Sequence, residues 1–471
     1  MAALNMSIKH TFDALDKCGY SRPSANKRIQ IMDNAGKMAS LFYTKKTNED
    51  IDLVIAGSRG EGIGRYFDCD LDRLFIQRSV MCYAAYPTPS THVRYAAEFR
   101  LDFQNTSNGY CRLKLISKQS QTTSEAKNFA FLQNMETAIH IENGEAFLRN
   151  DKILTSAMQH LKRTGWLAQS VIYDVDDGPS KPYECRVPFS KYAFKIDNVL
   201  CFKCVHPTII QEWCDRKREH DWPSSEIVEQ VKGVDVLVVP VGETADEVLQ
   251  WRISLVLAEL VLAHSFNDVQ LKVYGALKML SKNVFRKSCD NMSSYMIKNV
   301  VFWVSEKTQN CEFEQGKLLD RITDGLIFLR KCVDEGQLPN YMIPGRNLLK
   351  YKLSYTEREN VLIDIDNCLQ AGEHAFLECP ELIQMSDEAE AGVNDTAFKE
   401  LAEESIYSLY TFPLMEGAKL IKKLYSLKSG KDVVKFYLKK IFPKIRENNP
   451  LDFFCHICSK TDKEILRILK P

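Results

Sequence analysis

The chain lacks several features that would assign it to a functional class at once. It has no excess charge of either sign, because 62 lysines and arginines balance 62 aspartates and glutamates. A general attraction to nucleic acid is therefore excluded, and any such binding needs a local basic surface. No apolar run reaches the roughly 18 residues of a membrane-spanning helix, and the N-terminal residues have no apolar signal-peptide core. We therefore expect no membrane partner.

The cysteines do not form a complete zinc motif. There are 15 of them, scattered and odd in number, which is typical of reduced thiols in a cytosolic protein. Two C-x-x-C pairs occur, Cys201/Cys204 and Cys455/Cys458, but neither has a second pair at the distance that a zinc ribbon requires. The first pair also lies in a strand-like run, where residues three apart face opposite sides. We expect a cytoplasmic protein with no zinc at either pair.

What the chain does contain is a change of periodicity along its length. Residues 1–47 have a helical pattern, and strand-like runs recur between residues 51 and 242. From Trp251 the periodicity is helical for more than 100 residues, and the acidic, small-residue stretch 385–395 is typical of a linker. The pattern predicts a mixed α/β lobe over 1–245, a helical lobe over 246–380, and a linker with a helical extension over 381–471.

One segment joins a Gly-Ser turn to an acidic strand. Gly57-Ser58 ends the apolar run IDLVIAG, and Asp68, Asp70 and Asp72 follow at alternate positions, which share one face of a strand. Backbone N–H groups at such a turn can hold a phosphate, and carboxylates bind Mg²⁺. Together these features are typical of metal-assisted phosphoryl or nucleotidyl transfer. An acid-x-acid pattern alone is more often the solvated face of an edge strand.

A metal site of this kind usually includes a third carboxylate from a neighbouring strand. Asp197 in YAFKIDNVLCF and Asp235 in VDVLVVPV are each a single acid in a largely apolar run. An unpaired charge in such a run costs free energy, so both residues are candidates. The periodicity does not choose between them.

Several motifs resemble those of the cGAS-like receptors, the nucleotidyltransferases related to cyclic GMP–AMP synthase and to the male-abnormal developmental proteins. The family pattern is Gly-Ser, eleven residues and acid-x-acid, and Gly57-Ser58 with Asp70-Leu71-Asp72 has that spacing. The segments QWRISLVLAEL, SSYMIKNVVFW and LPNYMIPGRNLL follow in the family's order, so that the resemblance covers roughly residues 25–355. It implies a polymerase-beta-like nucleotidyltransferase core with a twisted mixed sheet, followed by an α-helical C-terminal lobe.

The resemblance also implies a metal site. It selects Asp70 and Asp72 as the metal-binding pair and leaves Asp68 as a neighbour. The family's third acid precedes a short Trp-Pro element, and KIDNVLCFKCVHP matches that context with His206-Pro207 in its place. The resemblance therefore favours Asp197 over Asp235 as the third ligand of Mg²⁺, or of Mn²⁺ in its place.

Nucleotide-binding residues follow from the same resemblance. Gly57 and Ser58 would hold the donor triphosphate, Arg252 of the W-R-x-S motif would reach a base or phosphate, and Tyr295 would stack on a nucleobase. The other candidates are Ser254, Glu259, Lys278, Lys282 and Ser294. Two plainer interpretations stay open, in which Glu259 only pairs with Arg252 and Tyr295 belongs to the core. The family's phosphate-binding lysine aligns with Ser281, so either neighbouring lysine could replace it.

The activator is the least specified part. The mammalian DNA sensor of the family has a zinc insertion after the W-R-x-S helix, whereas this chain has only AHSFNDVQ there, with the lone His264. In relatives a long N-terminal helix lies along the nucleic-acid duplex, which makes Lys27, Arg28, Lys45 and Lys46 the candidate contacts. A-form RNA offers a wide minor groove and 2′-hydroxyls, and this favours double-stranded RNA over other nucleic acids.

The resemblance thus predicts a cytoplasmic immune sensor that joins two nucleoside triphosphates, ATP and GTP or others, into a cyclic dinucleotide. A receptor of the STING type would act downstream. Two alternatives stay open: a catalytically silent scaffold or developmental protein of the same fold, and a template-independent nucleotidyltransferase that extends RNA. The oligomeric state is not indicated by the sequence.

Overall fold

The computed structural model describes residues 2–64, 70–85, 95–120, 127–153, 171–172, 181–186, 193–377 and 379–380. Asp68, the second C-x-x-C pair and the predicted extension over 381–471 lie outside these residues. The described chain forms two compact units. The sheet unit contains residues from 28–206 and 235–257, and the helical unit contains residues from 1–27, 207–234 and 258–380. None of the described helices is long and apolar enough to cross a membrane.

The expected combination of a mixed α/β part with a helical part is confirmed, but the division of the chain differs from the predicted boundaries. Residues 1–27 and 207–234 belong to the helical unit rather than to the sheet unit. The predicted N-terminal helical region is also two helices, because the chain turns at Gly19, whose φ is +83°. The hydrophobic periodicity of a segment predicts whether it is a helix or a strand, but it does not predict which of the two units that segment joins.

The sheet unit is built on an eleven-stranded mixed sheet. The strands are β1 (Ile51–Ala56), β2 (Leu71–Tyr83), β3 (Ala97–Asp102), β4 (Tyr110–Lys118), β5 (Ile139–Glu142), β6 (Glu145–Leu148), β7 (Val171–Ile172), β8 (Lys181–Arg186), β9 (Ala193–Val205), β10 (Val236–Val239) and β11 (Gln250–Ser254). The pairings run β2-β3-β4-β11-β10-β9 and then return from β9 to β2. The pairs β2–β3 and β2–β9 are parallel, and the other pairs in this circuit are antiparallel.

An aromatic cluster fills the centre of the sheet unit. Phe202 of β9 stacks on Trp251 of β11, with ring centroids 5.3 Å apart, and meets Phe131 edge-on at 5.9 Å. The Trp251 indole is fully buried and donates a hydrogen bond to the carbonyl of Leu148. Buried aromatic rings with satisfied polar groups stabilise a core strongly, so the sheet that carries the acidic strand has a rigid support.

The helices are α1 (Ala2–Lys17), α2 (Arg22–Thr47), α3 (Gly57–Gly60), α4 (Phe129–Ala138), α5 (Pro207–Asp215), α6 (Ser225–Lys232), α7 (Val256–His264), α8 (Asp268–Leu280), α9 (Arg286–Ser288), α10 (Ser294–Lys307), α11 (Leu318–Glu335), α12 (Tyr355–Ala371) and α13 (His374–Leu377). The core of the helical unit includes Trp222, Phe266, Phe302 and Tyr341, whose neighbouring ring centroids lie 5.2 to 5.9 Å apart.

Helix α2 lies along the outer edge of β1. A Cβ at Gly36 would lie 2.8 Å from the carbonyl oxygen of Leu53, so glycine permits this close approach. The Ser40 hydroxyl accepts a hydrogen bond from the Leu53 N–H (2.7 Å), and the Thr44 hydroxyl donates to the carbonyl of Ile51 (3.1 Å). Because residues four apart share a helix face, one face of α2 binds the backbone of β1.

Glu49 is a buried carboxylate between α2 and β1. Its side chain accepts hydrogen bonds from the Gln77 amide (2.9 Å) and from the backbone N–H of Phe131 (3.0 Å), and the residue is only 2% exposed. Burial outweighs these hydrogen bonds and, with the nearby charge of Asp50, raises the pKa of Glu49 from 4.5 to about 7.

We expect this carboxylate to make the protein less stable as the pH rises from 4.5 through 7. The unfolded side chain ionises near 4.5, whereas the folded side chain resists ionisation up to about 7, so the free energy of the unfolded state falls relative to that of the folded state over that interval. A difference of about 2.5 pKa units corresponds to at most about 3 kcal/mol of unfolding free energy. Glu49→Gln should remove most of this dependence, as measured by urea denaturation at pH 5, 6, 7 and 8. The exposed residue Glu212 offers a matched control, and a Glu49→Gln protein with the parental pH slope would contradict the expectation.

Candidate active site

The strand register places Asp72 beside Asp197. Strands β2 and β9 run parallel, and Asp72 is the direct partner of Asp197. Neighbouring strands lie about 4.8 Å apart, and direct partners project from the same face of a sheet. On its other side Asp72 pairs with Ala56, the residue before the Gly-Ser turn. Two carboxylates and the turn therefore converge at one end of β2.

Asp235 lies elsewhere in the sheet. The next residue, Val236, pairs with Cys204, seven residues beyond Asp197 on β9 and therefore roughly 23 Å along the strand. The Asp235 carboxylate forms a 2.8 Å ion pair with Lys203. Of the two candidate acids, Asp197 is therefore a strand neighbour of Asp72 and Asp235 is not.

Gly57 lies directly against the Asp72 carboxylate. A Cβ added to Gly57 would lie 1.9 Å from Asp72 Oδ2, and the φ of Gly57 is +59°. Both facts require glycine, one because of space and the other because of backbone conformation. The sequence suggested that this glycine allows a phosphate to approach. In the structure, the group that lies in the space left by the missing side chain of Gly57 is the Asp72 carboxylate.

The turn after Gly57 is compact and internally bonded. The carbonyl of Ser58 accepts hydrogen bonds from the N–H groups of Ile63 (3.0 Å) and Gly64 (2.6 Å). The Arg59 guanidinium is 2% exposed, and its Nε donates to the carbonyl of Asp70 (3.0 Å). The Gly57–Gly64 turn is therefore attached to the residue that precedes β2.

Arg28 corrects one prediction. It was expected to lie on the surface of α2 and to contact nucleic acid, but it is 5% exposed and its Nε donates to the carbonyl of Gly62 (2.8 Å). A guanidinium in that position cannot reach a duplex, and the charge pattern of α2 could not show which basic residue faces inward. Lys27 is half-buried and Lys45 is exposed, while the side chain of Lys46 lies outside the described part of the chain.

The donor chemistry of the acids fits a hard divalent cation. Asp72 and Asp197 are half-buried, and Asp70 is exposed just before β2, and carboxylate oxygens are the ligands that Mg²⁺ prefers. Within the described ranges, however, no three His, Cys, Asp or Glu side chains are grouped as a formed metal site. The structure therefore shows a pair of neighbouring carboxylates with a third adjacent in the chain.

Cys201 and Cys204 are unsuited to binding zinc as a pair. Both are buried in β9, and burial raises the pKa of both thiols, that of Cys204 to about 12. Because they lie three residues apart in β9, their side chains also project from opposite faces of the sheet. No disulfide joins the described cysteines.

In the helical unit, Glu259 uses both carboxylate oxygens. It accepts hydrogen bonds from the Tyr295 hydroxyl and from Lys298 Nζ, each at 2.8 Å. Burial opposes its ionisation, but the charge of Lys298 and these two hydrogen bonds prevail, and the pKa of Glu259 lies below its ordinary value. Glu259 thus forms an ion pair, as the plainer interpretation expected, and Lys298 is a partner in it.

Tyr295 is held in one orientation by its neighbours. Its hydroxyl also accepts a hydrogen bond from the Asn340 amide (2.8 Å), and the Lys298 ammonium lies 5.0 Å from its ring centroid. Burial, and then the nearby Glu259 charge, raise the pKa of Tyr295. Sequence reasoning missed Lys298 and Asn340, and the only available signal was the position of Lys298 one helical turn after Tyr295.

The remaining predicted residues occupy ordinary positions on their elements. Ser281 is 1% exposed and donates to the carbonyl of Met292 (3.0 Å), so the family's lysine position is part of the core here. Lys278 is half-buried and Lys282 is exposed. Ser294 is the first residue of α10, and Ser293 caps that helix. Arg252 and Ser254 are half-buried residues of β11.

Removal of the Lys298 ammonium should strongly destabilise the helical unit. The side chains of Lys298 and Glu259 are each 5% exposed, and an unpaired buried carboxylate costs about 3–5 kcal/mol. We expect Lys298→Met to lower the unfolding free energy by about that amount, measured by chemical denaturation. The double variant Glu259→Gln/Lys298→Met should recover much of the loss, and equal losses in both variants would contradict an ion-pair origin.

Comparison with known proteins gives two matches. Residues 270–367 match the family described as "Mab-21 protein HhH/H2TH-like domain". A protein of Magallana gigas named "Cyclic GMP-AMP synthase-like receptor" is 31% identical over 132 residues, a segment that covers 26% of this chain and 22% of that receptor. The match therefore spans less than a quarter of the receptor's own length. Residues 270–367 therefore resemble a Mab-21-type domain, and the two matches and the motifs of the sheet unit are all similar to cGAS-like, Mab-21-related proteins.

Proposed function

We propose that this protein is a nucleotidyltransferase that makes a cyclic dinucleotide from two nucleoside triphosphates, ATP and GTP or others. The observation that carries the proposal is the in-register pair Asp72–Asp197 with Gly57 against the Asp72 carboxylate. In a polymerase-beta-like core, this arrangement puts a phosphate-holding turn next to metal-binding carboxylates. The similarity to a Mab-21 domain and to a cyclic GMP-AMP synthase-like receptor supports the same class of reaction.

The residues have distinct roles in this proposal. Asp70, Asp72 and Asp197 would hold Mg²⁺, or Mn²⁺ in its place, which would supply charge stabilisation at the phosphates when bound. The Ser58 hydroxyl and the backbone of the turn hold the donor triphosphate. Arg252, Ser254 and Ser294, with Lys278 or Lys282, contact base or phosphate, and Tyr295 stacks on a nucleobase in the orientation that Glu259 sets. A ribose hydroxyl attacks the α-phosphorus, and pyrophosphate leaves twice as the ring closes.

Two other functions remain as outcomes of the test. A catalytically silent scaffold would have no need for two in-register carboxylates beside the turn, which favours an enzyme. A template-independent nucleotidyltransferase that extends RNA would use the same carboxylates and would differ in its product.

Product analysis distinguishes the three functions. The full chain would be incubated with ATP, GTP, Mg²⁺ and either double-stranded RNA, double-stranded DNA or no nucleic acid, and the products separated by ion-exchange chromatography after phosphatase treatment. A phosphatase-resistant dinucleotide that is absent with Asp197→Asn supports the proposal. Elongated RNA would indicate the polymerase. No product in Mg²⁺ or Mn²⁺ with any nucleic acid would overturn the proposal and favour the scaffold.

As activator we propose double-stranded RNA, bound in the cytoplasm by the lysines of α2, with a receptor of the STING type for the product. We expect Lys27→Glu/Lys45→Glu to lower RNA-stimulated synthesis by at least about tenfold. RNA binding should also depend less on salt, because each phosphate contact contributes about 0.9 to the slope of log affinity against log salt concentration. Basal synthesis in Mn²⁺ should persist. The exposed pair Lys217→Glu/Lys331→Glu carries the same charge change in the helical unit and should respond to RNA like the parent. An equal response in both variants would exclude the α2 surface.

A further inference from the structure

Two buried arginines attach the Gly57–Gly64 turn to its surroundings. Arg28 Nε donates to the carbonyl of Gly62 at 2.8 Å, and Arg59 Nε donates to the carbonyl of Asp70 at 3.0 Å. Their exposures are 5% and 2%. Removing a guanidinium from water costs free energy. Two buried guanidinium groups around one short turn therefore indicate that the position of the turn is important.

The two hydrogen bonds join different elements. Arg28 belongs to α2 and holds the far half of the turn, whereas Arg59 belongs to the turn and holds the residue that precedes β2. A guanidinium is planar and presents its donors in a fixed geometry, so it restricts both the distance and the direction of the carbonyl that it binds. The turn is therefore fixed relative to α2 on one side and to the acidic strand on the other.

The helix that carries Arg28 is itself attached to β1. Arg28 belongs to the same helix as Gly36, Ser40 and Thr44, which follow one another at intervals of four residues and contact the backbone of β1. The helix cannot slide along β1 without breaking these contacts. Because α2 is held against β1, the hydrogen bond from Arg28 to Gly62 also holds the turn in place relative to β1.

We infer that Arg28 and Arg59 are positioning residues that hold the Gly57–Gly64 turn so that Gly57 stays against Asp72 and Asp70 stays at the start of β2. The inference rests on the proposed function for its chemistry. Neither arginine is required to touch nucleotide or metal. Each acts through a backbone carbonyl, and each sets where the carboxylates stand relative to the phosphate-holding turn.

The test uses Arg28→Gln and Arg59→Gln, with Arg28→Lys and Arg59→Lys as conservative variants and Arg78→Gln as the control. Arg78 is also in the sheet unit, but its side chain is 47% exposed and pairs with Asp50 and Asp52. Three quantities would be measured on the full chain: hydrogen exchange of amides 57–64, the Mg²⁺ concentration for half-maximal binding of a fluorescent ATP analogue, and kcat and KM.

We expect the glutamine variants to exchange amides 57–64 at least about tenfold faster, and to need at least about tenfold more Mg²⁺. Exchange in α10 should be unchanged, and kcat should fall more than KM rises. The lysine variants should be intermediate because, unlike glutamine, they keep the positive charge and a long side chain with a donor at its end. Parental exchange at 57–64 in a folded variant, or the same effects in Arg78→Gln, would overturn the inference.

Two further outcomes are decided by the same measurements. If a glutamine variant does not fold, the corresponding lysine variant decides, because it retains the charge and a hydrogen-bond donor. If the parent binds no nucleotide and makes no product, the proposed function fails, while faster exchange at 57–64 still supports the attachment of the turn and parental exchange overturns it.

Discussion

Gly57→Ala should reduce nucleotide transfer by about a thousandfold or more, equivalent to about 4 kcal/mol of activation free energy. The added Cβ would overlap Asp72 Oδ2, because the ideal position of a Cβ on Gly57 is only 1.9 Å from that oxygen. Either the carboxylate turns away from Asp197 or the turn moves away from the strand. Both displacements would separate the backbone that we propose to hold phosphate from the oxygens that we propose to bind metal. Steady-state kinetics with Mg²⁺ and the parental substrates would measure the loss.

A matched glycine separates this overlap from general backbone strain. Gly144 has a φ of +79°, like Gly57 in the left-handed region, but a Cβ there meets nothing within 4 Å. Gly144→Ala should therefore lose stability through backbone strain alone and keep its activity. The stability cost of Gly57→Ala should also shrink in an Asp72→Gly background, because the overlapping atoms are gone. Near-parental activity of Gly57→Ala would contradict the close contact between the turn and the carboxylate.

Asp197→Asn should lower turnover by at least about a hundredfold, or about 2.7 kcal/mol of activation free energy. The amide keeps the shape of the side chain but lacks the negative charge that a hard cation requires. Because Asp197 is in register with Asp72, Asp72→Asn should produce a loss of the same order. The measurement is kcat as a function of Mg²⁺ concentration, with the fold checked by circular dichroism.

Asp235→Asn is the control for that substitution. It removes the same charge from another acid of the sheet unit, one that pairs with Lys203 at the opposite end of β9. We expect parental turnover and at most a small loss of stability, since half-exposed ion pairs contribute little. Full activity of Asp197→Asn, or equal losses in both variants, would exclude Asp197 as a metal ligand.

The choice between Asp197 and Asp235 shows where sequence reasoning ends. Each is one acid in an apolar strand, so side-chain periodicity treats them alike, and only the family resemblance favours Asp197. What separates them is the pairing of β9 with β2 in parallel register, a contact between segments more than a hundred residues apart in the chain. Side-chain alternation predicts the face of a strand, but it carries no information about which strand lies beside it.

The same limit applies to side chains that were assigned wrongly or missed. Arg28 was placed among the exposed basic residues of α2, yet its partner is the carbonyl of Gly62, which no helical periodicity could indicate. Lys298 and Asn340 complete the Glu259–Tyr295 network from other turns of the helical unit. By contrast, the resemblance to Mab-21-related proteins and the combination of a mixed sheet with a helical part were predictable, because short motifs and periodicity are local properties.

The contact between α2 and β1 has a consequence for solubility. An edge strand with unoccupied N–H and C=O groups is a template on which another chain can add a strand. In β1 the outward backbone groups at Leu53 and Ile51 are already bonded to hydroxyls of α2. The helix therefore protects the end of the sheet that carries the Gly-Ser turn. Whatever displaces α2 would expose that edge to a second molecule, so the docking of this helix also favours a monodisperse protein at high concentration.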